Sequence, residues 1–74
     1  MDWANVRMKK IALAQAKGQW QVCIVYCSDH SDSVAYLPNK LVALAYMYGM
    51  CELHRQKLPA TPHKGKQADI YYFK

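Results

Sequence analysis

The chain has 74 residues, about half of a typical domain, which excludes a Rossmann domain, a TIM barrel or a multi-domain enzyme and points to one small domain over 1–74 or a piece of a larger assembly. Its apolar fraction of 53% is too high for a disordered basic tail. Ten Lys plus Arg against five Asp plus Glu give a net charge of +5, which favours acidic or phosphate-bearing partners but also suits simple solubility.

The charge is uneven. Residues 1–27 sum to +3, residues 28–54 to −2, and residues 55–74 to +4. If the two basic ends meet in the fold, they form a patch for phosphate or for an acidic protein face.

In chain order, Asp2 can cap a helix start and Gly18 can end one. The good helix formers between them, with Ala12, Leu13, Ala14 and Ala16, predict a first helix. Residues 9–16 also fit a strand turning at Lys17-Gly18. Trp20 to Cys27 is the clearest strand, rich in β-branched and aromatic residues and apolar on both faces beyond Gln21, as a central strand would be. A polar loop from Ser28 to Ser33 leads into a shorter strand from Val34 to Leu37, closing a hairpin.

Asn39, with Pro38 ahead of it, caps a second helix that runs to about Leu58, where Pro59 and Pro62 forbid continuation. Ala60 to Gln67 reads as a linker, and Ile70 to Phe73 as an edge strand added to the hairpin. The expected class is therefore α+β, in the order helix, β-hairpin, helix, short C-terminal strand, with an antiparallel sheet packed on the second helix.

Met8-Lys9-Lys10 before Ile11-Ala12-Leu13-Ala14 imitates a secretory signal, but Gln15 and Lys17 cut the apolar stretch short. The apolar stretch from Leu41 to Cys51 is well below the ~20 residues of a membrane span. Three cysteines, an odd count, argue against a disulfide framework. A cytoplasmic protein, not a membrane one, is the expectation.

The second helix carries the most information. No charge occurs from Leu41 to Cys51, whereas an ordinary surface helix has a polar back. So short a chain has little with which to cover such a helix, and Tyr and Met are residues that adapt to a partner's shape. Tyr46, Met47, Tyr48 and Met50 are the candidate protein contacts, with Arg55 and Lys57 at the rim, although at least two of the four must point inward. The partner would be a larger protein or a second copy of the chain. A helix covered by its own fold is the competing reading.

Cys27-x-x-His30 and Cys51-x-x-His54 form two short-spaced pairs, the arrangement from which structural zinc sites are usually built. Such a site would clip the hairpin to the helix. Histidines in a polar loop and at a helix end need no metal, so the pattern alone does not require zinc.

No phosphate-cradling glycine loop and no acid–base pair point to catalysis, and a non-enzymatic protein is expected. The main functional expectation is a protein-binding module: an inhibitor, adaptor or small subunit. Small size and lack of motifs are shared with the inhibitors that phages and mobile elements direct at a host machine, an analogy of size alone. The alternative is nucleic-acid binding, with Arg55, Lys57, His63, Lys64 and Lys66 for charge and Tyr71 and Tyr72 for stacking.

Overall fold

The computed structural model describes residues 6–27 and 32–73. They form one five-stranded antiparallel sheet and one helix: β1 Met8–Ala16, β2 Gln19–Tyr26, β3 Ser33–Leu37, α1 Lys40–Leu53, β4 His63–Lys64 and β5 Ala68–Tyr72. The strand order is β3-β2-β1-β5-β4. The class is α+β as expected, but the first helix is replaced by a strand; Asp2, its expected cap, lies outside the described residues.

The physical reason is burial. Ile11 and Leu13 are buried and alternate with Ala12 and Ala14, a period of two that outweighs the helix propensity of alanine. A bulge shifts the period just before Ile11: Met8 pairs with Tyr26 and Lys10 with Val25, leaving Lys9 as the extra residue. The bulge keeps Met8 in the core while turning Lys10 to the opposite face. Lys17 and Gly18 both have positive φ (51° and 77°), as the tight two-residue turn between β1 and β2 requires.

Strand β2 is interior, hydrogen-bonded to β1 and β3, and β2–β3 is the expected antiparallel pair. β5 is interior too: it lies between β1 and β4, so it extends the sheet from β1 and does not form its edge. The supposed linker contains the two-residue strand β4.

Asn39 caps α1 as expected, its Oδ1 accepting from the Val42 N–H at 2.9 Å. The helix lies across β2 and β3. Its start is marked by Lys40 Nζ, 5.7 Å from the Trp20 ring centre, and its end by His54, whose ring meets Tyr26 edge-on at 5.4 Å. Ala43, Met47 and Cys51, four apart, bury one flank against Ile11, Leu13, Val22 and Ile24.

The helix stops at Leu53, five residues before the expected end at Leu58. Arg55 takes a left-handed φ of 53°, which lets Gln56 N–H donate to Cys51 O (2.8 Å) and Arg55 N–H to Glu52 O (3.1 Å). These are the two reverse bonds of a Schellman ending, with Arg where Gly is usual. The buried Gln56 side chain then accepts from Met8 N–H (2.7 Å) and donates to Met8 C=O (3.0 Å), as a strand would.

Two predictions follow from this ending. Replacing Arg55 with Gly should raise unfolding stability by roughly 0.5–1 kcal/mol, because glycine adopts positive φ without the Cβ clash; urea unfolding measures it. Gln56→Ala should lose about 2–4 kcal/mol, since it strands two buried backbone groups of Met8. Gln56→Glu separates this from simple packing: only its protonated form can donate to Met8 C=O, so its deficit should grow as pH rises through the carboxyl range.

Candidate binding surfaces

Of the four proposed contact residues, Met47 is fully buried in the core and offers nothing to a partner. Tyr46 and Met50 are half-buried and pack against the same core. Tyr48 is 60% exposed. It shares the outer side of α1 with residues outside the expected contact set: Leu41 (78% exposed), Val42 and Leu53, together with exposed Ala45 and Gly49. These positions fall at helical spacing opposite Ala43, Met47 and Cys51. Their signal was present in the uncharged run, but only the sheet decides which flank faces in.

The sheet face away from α1 is a second surface. Residues pairing across it are Val34–Cys23–Ala12–Ile70 in one row, and Tyr36–Gln21–Ala14–Ala68 in the next. Val25, Lys10 and Tyr72 form a third row. Tyr36 and Tyr72 are exposed on this face, with half-buried Ala12, Ala14, Cys23 and Ala68 between them. Tyr72 has Lys10 Nζ at 5.9 Å from its ring centre and the His63 ring edge-on at 6.0 Å.

At the end of the sheet where β1 begins, a groove of about 480 Å³ is lined by Arg7, Lys57, Leu58, Pro59, Tyr72 and Phe73, among others. The two basic ends of the chain meet here, because β5 pairs with β1 and Gln56 fastens the segment after the helix to Met8. The expected nucleic-acid set is split by the fold. Lys57 and Tyr72 line the groove, and His63 adjoins Tyr72. Arg55 is exposed just past the helix. Lys64 and Lys66 lie at or beside the β4–β5 turn, near the other end of β5, and Tyr71 points into the core beside Ile11.

The proposed zinc ligands are Cys27, exposed at the end of β2, and Cys51 and His54, both buried. His30 lies outside the described residues. His54 is held by the Tyr26 hydroxyl, 3.4 Å from its Nε2. Among the described residues no three His, Cys, Asp or Glu side chains come together as a metal site. Among the described residues no helix is long and apolar enough to cross a membrane. No family model matches the chain, and no curated protein or solved structure is significantly similar to it.

Burial pushes the Cys51 thiol above its ordinary 9.0. Burial likewise raises the Tyr26 and Tyr71 phenols above 10.0, with the neighbouring Tyr46 adding to the first and Asp69 and Tyr48 to the second. All three groups hold their protons longer folded than unfolded, so their contribution to stability is complete below the ordinary values and lost as pH rises through the raised ones. The melting temperature should therefore fall from about pH 9 upward. Tyr71→Phe should lessen the slope of that fall, which thermal denaturation across an alkaline pH series would measure.

Proposed function

We propose that this chain is a small non-enzymatic protein-binding module that occupies a surface of a larger protein with the outer side of α1. The observation that carries this reading is Leu41, Val42, Tyr48 and Leu53 exposed together on a helix with no charge from Leu41 to Cys51. Water gains nothing from such a face, and contiguous exposed apolar patches mark interaction sites.

Gly49 supports the same reading. Glycine inside a helix costs about 1 kcal/mol relative to alanine. Here a Cβ at Gly49 would meet nothing within 4 Å, so the chain's own packing does not require the glycine. With Ala45 one turn earlier, it leaves a shallow strip where a partner's backbone or helix can come close. Tyr48 beside that strip supplies a large ring with a polar tip, the type of side chain enriched at binding hot spots. In this reading Arg55, exposed beyond the helix end, is a rim residue.

Affinity capture from a lysate of the native host, with nuclease and at two salt concentrations, tests the proposal. A defined larger protein should be retained in both. Tyr48→Asp and Gly49→Gln should each abolish its capture, while Gly49→Gln melts no lower than the parent chain. Recovery of only a second copy of the chain, or a partner indifferent to both substitutions, would overturn the reading.

A further inference from the structure

Away from the helix surface, a groove lies between the start of β1, the end of β5 and the segment that follows α1. We propose that this groove binds single-stranded nucleic acid, with Tyr72 stacking a base and Arg7, Lys10 and Lys57 holding the flanking phosphates.

The argument begins with the charges. Lys57 and Tyr72 are far in sequence from Arg7 and Lys10, and two sets of bonds bring the three cations and the ring together. The antiparallel pairing sets Lys10 directly opposite Tyr72, with Phe73 N–H donating to Lys9 O at 3.0 Å. The Gln56 side chain on Met8 sets Lys57 beside Arg7. Among the described residues lining the groove, Arg7 and Lys57 are the charged ones and neither is opposed by a carboxylate there. Asp69, the acid of the C-terminal segment, pairs with buried Leu13 and so belongs to the helix side of the sheet, opposite to Tyr72. A groove of one sign of charge concentrates polyanions.

The ring selects among polyanions. Tyr72 is 51% exposed while Tyr71, one residue earlier, is buried, so Tyr72 is not needed to fill the core. Its neighbours are the Lys10 ammonium and the edge-on His63 ring, and an exposed ring beside basic side chains is the stacking platform of single-strand binders. A duplex hides its base faces, and an acidic peptide would use the cations but not the ring. The groove's size, about 480 Å³, is within the roughly 300–1,000 Å³ of clefts that enclose small ligand groups.

Fluorescence anisotropy with labelled 12-residue oligo(dT) and oligo(U), at low and near-physiological salt, tests the site. Saturable binding that weakens with salt is expected, with a duplex of equal length binding less tightly. Tyr72→Ala should weaken binding roughly 5- to 150-fold, the range for loss of one stacked base. The double substitution Arg7→Glu with Lys57→Glu should abolish it. Lys64→Glu with Lys66→Glu alters net charge equally at the other end of β5 and should change affinity far less. Photo-crosslinking of 5-iodouracil oligomer to the unaltered protein should map to Tyr72 or Phe73, which keeps the test valid if a variant fails to fold.

No saturable binding at low salt, equal losses in the two charge-matched doubles, or crosslinks elsewhere would each overturn the proposal. So would equal affinity for a glutamate-rich peptide with no effect of Tyr72→Ala. Tyr48→Asp on the helix should leave oligomer binding unchanged, so this site and the protein-binding surface succeed or fail separately.

Discussion

One side-chain amide fastens the end of the helix to the beginning of the first strand. Gln56 satisfies the N–H and the C=O of Met8 together, at 2.7 and 3.0 Å, next to the bulge that turns Lys10 outward. A buried backbone pair left without partners is costly, and an amide can replace a strand because it carries one donor and one acceptor side by side. The reversal at Arg55 aims Gln56 at that position, so the helix ending and the clasp form one device. From it follow the place where the chain leaves the helix and the placing of Lys57 beside Arg7.

A second constraint is the arithmetic of a small chain. One helix of 14 residues packs across β2 and β3 on one face of the sheet and buries the flank bearing Ala43, Met47 and Cys51 in doing so. The core that results is continuous, running from Met8 through Ile11, Ile24 and Met47 to Tyr71, and it draws on β1, β2, β5 and α1. What remains apolar is turned outward on two sides: the outer flank of α1, and the sheet face bearing Tyr36 and Tyr72. A chain of this size buries only ~60% of the surface it exposes when unfolded, so outward apolar groups are expected, but not grouped as they are here.

The two surfaces differ in chemistry, and that difference separates their proposed ligands. The helix flank is uncharged from Leu41 to Cys51 and offers shape and apolar area. The groove at the β1–β5 end sets cations around a ring. A protein is the proposed ligand of the first and a phosphate-bearing strand that of the second. The inward Cys51 and His54 take no part in either surface, being buried behind the helix.

Local signals in the sequence were strong where one residue type decides the backbone. Asn39 announced the helix start, the β-branched and aromatic run from Trp20 announced the interior strand, and the uncharged stretch announced a helix with more apolar surface than its own core could use. Lys17-Gly18 also points to the hairpin turn, yet the alanines beside it favour a helix by propensity, and the bulge at Lys9 obscures the period of two that opposes it. The end of the helix was misplaced because the prolines at 59 and 62 were visible, whereas the pull of Met8 on Gln56 across 48 residues was not. By itself, then, the sequence determined the class, the β2–β3 hairpin, the helix start and the presence of basic ends, all of which rest on local backbone preference and composition. Only the tertiary structure decided that those ends meet, that Met47 faces in while Tyr48 faces out, and that Tyr72 stands among cations, because each depends on which distant strand supplies the hydrogen bonds.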